Sequence, residues 1–262
     1  MPTALLDGDI IAYRASAVLT EDPWDTDGPK VPLSEQEAIR VAKLLAITWM
    51  ELAGCDKSII CLTGKNNFRK RILPSYKENR KGTLPPASLK AVKAALLNIP
   101  GARLVEGLEA DDLMGIMLTN GRYPEAVCVT IDKDLRTVPG RHLNPVSKTG
   151  VVPEVVVTTA EEGMRWWLTQ ALTGDKVDGY SGLPGTGPVK AEKILRGVPM
   201  GSLWDAVRGA FLAQGLTEED ALTQARVARI LQAEDYDKVS KEILLWHPAA
   251  PVRIPLQLGI TE

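Results

Sequence analysis

The chain has 262 residues, 45% of them hydrophobic and 24% charged, with a net charge of −2, enough for one large core or two modest ones. Asp7 and Asp9 interrupt the start of the chain, and no apolar run nears the ~20 residues that cross a bilayer. Neither a signal peptide nor a membrane partner is therefore expected, and the chain is expected to stay in the cytoplasm. Cys55, Cys61 and Cys128 are odd in number, without C-x-x-C spacing, and read as reduced core residues. With only His142 and His247 as imidazoles, any bound metal is expected on oxygen ligands.

In chain order, "TALLD" reads as a short strand ending in acid. Residues 20–32 form a polar loop, after which Ser34 and Glu37 make a capping box for a helix from Glu35 to Ala53, stopped by Gly54. "KSIICLT" predicts a buried strand, "PPASLKAVKAALLNIPG" a helix, "ARLVE" a strand, "EADDLMGIMLTNG" a helix and "EAVCVTID" another strand. Strands separated by helices predict an α/β fold with a mainly parallel sheet covered on both faces. After "VVPEVVVTT" the pattern turns helical: "AEEGMRWWLTQALTG", "PVKAEKILRG", "GSLWDAVRGAFLAQG" and "TEEDALTQARVARILQAE". Two parts are expected, an α/β core over 1–157 and a helical part over 158–262.

The small net charge conceals a strong polarity. From Lys57 to Lys93 ten Lys and Arg face one acid, Glu78, giving +9, and the remaining 21 basic and 32 acidic residues leave −11 elsewhere. The acids fall in pairs at element ends. Asp7 and Asp9 close one strand, and Asp132 and Asp134 another. Glu109, Asp111 and Asp112 open a helix, while Asp175 and Asp178 are spaced to share one face of a helical turn. Open parallel sheets place their sites beyond the carboxyl ends of the strands. Carboxylates ~4 Å apart repel by ~4 kcal/mol at an effective dielectric of ~20. Divalent cations resolve that repulsion, and the surplus of acids suggests two ions, Mg2+ or Mn2+, about 3.5 to 4 Å apart, as in phosphodiester cleavage. "GLPGTGPVKAEKIL" leads into a helix where Gly182, Gly185 and Gly187 would let backbone N–H groups approach a phosphate, with Lys190 following. Pro188 stands where a Walker loop needs lysine, so a triphosphate cradle is not expected.

"ALLDGDIIAYRAS", "FRKRILPSYKENRK", "EADDLMG", "VTIDKDLRTV" and "GDKVDGYSGLPGTGP", in this order, resemble the metal-dependent 5′ nucleases of the flap-endonuclease superfamily. The resemblance covers residues 3 to 248 and is greatest to the 5′→3′ exonucleases of T-odd short-tailed bacteriophages. It implies a PIN-like, resolvase-like core, a helical arch within the basic segment of about 65–98, and a helix-hairpin-helix around Gly182 to Gly187 that grips duplex backbone and holds K+ in relatives. Asp7, Glu109 and Asp111 would hold the first metal with Asp112 beside it, and Asp132, Asp134, Asp175 and Asp178 the second. Lys77 and Arg80 would meet the scissile phosphate, Tyr76 would stack a base at the 5′ end, and Arg69 would be a further phosphate contact. The implied substrate is DNA with a duplex 5′ end, flap or gap, and RNA paired to DNA, cut by a monomer. One departure stands out, since Gly64 occupies the position of an aspartate that relatives give to the first metal, and Asp9 is the residue placed to compensate.

Two other readings use part of the pattern. A phosphatase with an aspartate nucleophile also begins D-x-D after a strand, but has no use for "SYKENR" or the glycine hairpin. A non-catalytic DNA-binding module would need the hairpin and the basic segment but not nine carboxylates.

Overall fold

The structure is a computed structural model that describes residues 2–21, 28–80, 82, 84–146 and 151–249. β1 (Thr3–Asp7) runs directly into α1 (Gly8–Ser16), because the last residue of the strand caps the helix: Asp7 Oδ1 accepts from the Ile10 amide at 3.0 Å. β2 (Leu19–Thr20) and β3 (Val31–Pro32) form a small antiparallel ladder, and α2 (Glu35–Leu52) starts at the Ser34/Glu37 capping box. There follow β4 (Lys57–Thr63), α3 (Arg69–Ile72), α4 (Leu89–Leu97), β5 (Arg103–Val105), α5 (Ala110–Thr119), β6 (Val127–Val129), β7 (Gly140–Leu143) and β8 (Val156–Thr158). The rest is α6 (Ala160–Thr173), α7 (Pro188–Leu195), α8 (Leu203–Leu212) and α9 (Glu218–Ala228), closed by a short ladder of β9 (Tyr236–Asp237) and β10 (Glu242–Ile243). No described helix is long and apolar enough to cross a membrane.

Six strands form one sheet in the order β5-β4-β1-β6-β7-β8, parallel except for β8, which runs against β7. The apolar runs of β4 and β6 are buried, as a parallel sheet covered on both faces requires. From β1 the chain goes to β4 and β5 on one side, then returns to β6 on the other. That order puts a crevice between the carboxyl ends of β1 and β6, the place where open α/β sheets bind ligands.

One face of the sheet packs on α1, α2 and α4, whose alanines Ala12, Ala15, Ala38 and Ala42 allow close approach around Trp49, Val92 and Leu96. The other face packs on α5 together with Ile230, Leu231, Ile243 and Leu245. Helices α6 to α9 share a third cluster built on Trp167, Leu168, Leu172 and Phe211. All three cysteines are free and buried.

Local structure departs from the sequence expectations in several places, and the β2–β3 ladder lies at the ends of the segment read as a polar loop. α1 and β7 were not expected. The helix read through "ARILQAE" stops at Ala228, because Arg229 is extended and turns Leu231 inward to donate to Asp112 Oδ1 at 3.1 Å. Asp175 and Asp178 sit in a tight turn, not a helix: Asp175 Oδ1 accepts from the amides of Val177 at 2.6 Å and Asp178 at 3.1 Å. Within 65–98, Val92 and Leu96 of α4 are fully buried against the core. Between α3 and α4, residues 73–88 have one 3-10 turn, Glu78–Arg80, as their described regular structure, while α4 packs on the core and reaches the cleft through Lys93; Lys81 and Thr83 lie outside the described residues.

A buried ion pair joins these parts. Arg69 and Asp112 meet through two parallel bonds of 2.8 and 2.7 Å, at 3% and 0% side-chain exposure. The same guanidinium donates to the carbonyls of Val227 at 2.9 Å and Arg229 at 2.6 Å, and Asp112 also accepts from the Glu109 amide at 3.0 Å. This corrects two expectations. Arg69 has no donor directed to a phosphate, and Asp112 has no oxygen directed to a metal, because each is spent on the other and on backbone groups, and Arg69 Nη1 also lies 3.4 Å from Glu109 Oε2. Asp112→Ala, which strands the buried guanidinium, should destabilise the protein by about 3 to 5 kcal/mol. Urea unfolding followed by circular dichroism checks this, and a loss below ~1 kcal/mol would contradict the pinning role.

Candidate active site

Four chain segments deliver carboxylates to one cleft of about 520 Å³ at the carboxyl ends of β1 and β6. Asp7 arrives as the last residue of β1, and its Oδ2 accepts from Thr130 Oγ1 at 2.8 Å. Thr130 follows β6 and also accepts from the Asp132 amide at 3.0 Å, so one hydroxyl fixes both acids. Asp132 Oδ1 in turn caps the turn that carries Asp134, accepting its amide at 2.8 Å. Glu109 and Asp111 come from the N-terminus of α5, which Thr63 Oγ1 holds to β4 by accepting from the Ala110 amide at 3.0 Å. Asp175 and Asp178 come from the turn after α6. Of the nine acids singled out in the sequence, all but Asp112 line this cleft.

Their electrostatics differ by environment. Burial pushes Asp7 up to about 6 against the bonds from Ile10 and Thr130. Burial likewise raises Asp111 well above the carboxylate range, with Asp7, Asp132 and Glu109 adding repulsion. Asp134 is raised to about 6 by burial and then by Asp132, and its Oδ1 is buried without a hydrogen-bond partner. Burial also raises Glu109, but Arg69 and Lys77 overcome it and hold the carboxyl below its ordinary value. Among the described residues no three acids already stand as a closed ligand set. The donors nevertheless fit a hard divalent cation: they are all oxygens, several are held against their preference for the proton, and one has no partner.

Cations border the same cleft. Lys77, at φ +54°, places Nζ 2.5 Å from Glu109 Oε1 and 3.6 Å from Asp178 Oδ2. Arg80 Nη2 lies 2.6 Å from Asp178 Oδ1. Lys93, which sequence reasoning counted in the basic run without giving it a site role, lies 2.8 Å from Asp9. Tyr76 corrects an expectation. It is 2% exposed, and its hydroxyl lies 2.9 Å from Glu109 Oε2 and 3.0 Å from Asp178 Oδ2, donating its one proton to that pair. The ring has no face open for stacking a base, so it ties the α5 acids to the turn after α6 instead. Thr130 and Thr63 were also missed, since single threonines carry no motif.

Two glycine positions are decided by packing. A Cβ on Gly64 would lie 2.1 Å from the Val105 carbonyl oxygen, so this position has no room for the aspartate that the resemblance implies there, and Asp9, paired with Lys93, is a further acid of the cleft. Gly182 is buried at φ +63°, where a Cβ would meet the Gly174 amide at 2.3 Å. It shapes the hairpin and has no surface to offer a phosphate. Gly185 and Gly187 have open space around them, before α7 and the exposed Lys190.

The raised carboxyls fix the sign of a pH effect. Asp7 and Asp134 bind protons more tightly folded than unfolded, so their contribution to stability falls as pH rises from 3.8 through about 6. A divalent ion favours the charged forms. Mn2+ should therefore raise the melting temperature more at about pH 7.5 than at about pH 5. In EDTA, Asp111→Asn should stabilise the protein by about 1 kcal/mol, a gain of about 2 to 4 °C. Differential scanning fluorimetry reads both; a destabilised Asp111→Asn would contradict the electrostatics described.

Comparison with known proteins agrees with this geometry. A family model described as the 5′-3′ exonuclease, N-terminal resolvase-like domain, matches residues 2–162. The exonuclease of Escherichia phage T7 is 28% identical over 287 aligned positions, covering 93% of this chain and 93% of its own. The exodeoxyribonuclease of Enterobacteria phage T3 is 27% identical, covering 93% and 92%. Among solved structures, the T5 5′-exonuclease with bound zinc superposes with a TM-score of 0.57 at 16% identity, covering 87% of this chain and 93% of that one. With the matched domain spanning more than half of its length, the chain belongs to the 5′-3′ exonuclease family and is a nuclease.

Proposed function

We propose that the protein hydrolyses phosphodiester bonds at 5′ ends of duplex DNA, as a 5′→3′ exonuclease and flap endonuclease using two ions of Mg2+ or Mn2+. The observation that carries this reading is the convergence of Asp7, Glu109, Asp111, Asp132, Asp134, Asp175 and Asp178 on one cleft bordered by Lys77 and Arg80. Asp7, Glu109 and Asp111 would hold one ion, and Asp132, Asp134, Asp175 and Asp178 the other. When bound, the two ions would supply Lewis acidity for hydrolysis of the phosphodiester bond by water, with a 5′-phosphate and a 3′-hydroxyl as products.

The chain's own residues supply the rest. Lys77 and Arg80 present fixed positive charge where the scissile phosphate gains negative charge, and Tyr76 with the Thr130 hydroxyl holds the carboxylates in place. Gly185, Gly187 and Lys190 offer backbone N–H groups and an ammonium to the duplex backbone, a grip that reads no bases and weakens with salt. The same proposal makes the C-terminal part, 158–262, the duplex-holding part, includes RNA paired to DNA as substrate, and has a monomer act in the cytoplasm in phage DNA replication or degradation. Asp7 is a poor nucleophile for phosphatase chemistry, being 2% exposed with both oxygens already accepting bonds.

Incubating 5′-labelled duplex and flap DNA with Mg2+ tests the reading. Nucleotides or short oligonucleotides should appear from the 5′ end and vanish in EDTA. Asp132→Asn should abolish cleavage while DNA affinity stays within about threefold, under ~0.7 kcal/mol. Lys77→Ala should lower turnover by about 100- to 1,000-fold. A gel shift with no cleavage by the wild type, or full activity in both variants, would overturn the assignment.

A further inference from the structure

We propose that Lys93 is a substrate-binding residue of this cleft, taking a backbone phosphate that neighbours the scissile one, and that Asp9 holds its ammonium in the DNA-free protein. The inference rests on the nuclease reading above. Among the described residues, four cationic side chains line the cleft: Arg69, Lys77, Arg80 and Lys93. Arg69 is spent on Asp112, and Lys77 and Arg80 converge on Glu109 and Asp178. Lys93 meets none of these acids. Its Nζ lies 2.8 Å from Asp9 Oδ1, over the first turn of α1.

The pair is not there to hold the fold. The two side chains are 37% and 26% exposed, and Asp9 Oδ1 accepts no well-directed hydrogen bond, so the contact is a loose charge pairing of the kind that contributes little to stability. The contact between α1 and α4 is already made by Ile11, Ala15, Val92 and Leu96, all fully buried. Those same residues make Lys93 useful. Val92 fixes the backbone next to it, so the ammonium is presented from a rigid helix, unlike Lys77 and Arg80, which come from the irregular segment before α4.

A nucleic-acid strand carries one charge per ~3.4 Å of helix axis, so a phosphate seated at Lys77 and Arg80 brings its neighbours to the cleft wall. The charged groups of that wall are otherwise mostly carboxylates, which repel a phosphate. Among the described residues that line the cleft, Lys93 is the cation left to meet one of those neighbouring phosphates, and the exchange is balanced: the ammonium leaves the Asp9 carboxylate for a phosphate oxygen, with no proton moved.

Binding of a labelled duplex with a single-stranded 5′ extension, measured in Ca2+ by fluorescence anisotropy across a range of salt, tests this. Lys93→Gln should make the plot of log K against log salt shallower by about 0.7 to 0.9, one phosphate contact. Lys93→Arg should restore the slope, and the melting temperature of Lys93→Gln should stay that of the wild type. Asp9→Asn should keep the wild-type slope and bind more tightly in EDTA, where the freed ammonium meets no competitor. A Lys93→Gln protein with the wild-type slope overturns the inference while leaving the nuclease reading intact. A wild type that shows no salt-dependent DNA binding overturns both.

Discussion

Everything about this site follows from the cost of crowding desolvated negative charge. Eight carboxylates share a cleft of about 520 Å³, and burial alone already drives Asp7, Asp111 and Asp134 toward their protonated forms. A fold has no reason to tolerate this for stability, since buried like charges weaken it. The arrangement makes sense as a site that is completed by cations, in part by Lys77, Arg80 and Lys93 and in the rest by divalent ions. Strained electrostatics of this kind cluster at functional sites because the tension is relieved only when the ligand arrives.

The scaffold keeps the acids apart in sequence and together in space. β1 and β6 are neighbours at the point where the strand order reverses, so their last residues face the crevice between them. α5 aims its N-terminus at that crevice, and the turn after α6 brings Asp175 and Asp178 from the helical part. Arg69 and Asp112 are the pin between these pieces. Charge in this protein is thus divided between structure and chemistry: the Arg69–Asp112 pair is fully satisfied within the fold, while in the cleft, burial holds Asp7, Asp111 and Asp134 toward their protonated forms and Asp134 keeps a buried oxygen with no hydrogen-bond partner.

Much of the site was legible because its acids sit at strand and helix ends, where i,i+2 spacing and helix capping leave a pattern. The parallel sheet was legible from apolar runs alternating with capped helices. What escaped did so for physical reasons. The family resemblance gives Tyr76 a base-stacking role, yet long-range partners 33 and 102 residues away bury it, and no local pattern marks them. Arg69 escaped similarly, since its bidentate partner is 43 residues away and no local pattern distinguishes a buried guanidinium from a solvated one. Gly64 looked like a missing ligand, whereas the proximity of the Val105 carbonyl, set by the pairing of β4 with β5, excludes any side chain there. α1 was hidden because Asp7 serves two elements, ending a strand and capping a helix with the same carboxylate.

The most direct test of the central claim is anomalous diffraction from crystals of the protein soaked in Mn2+. The account predicts two anomalous peaks about 3.5 to 4 Å apart inside the cleft, among Asp7, Glu109, Asp111, Asp132, Asp134, Asp175 and Asp178. Density for those side chains with no anomalous peak between them, at Mn2+ concentrations that support cleavage, would contradict it.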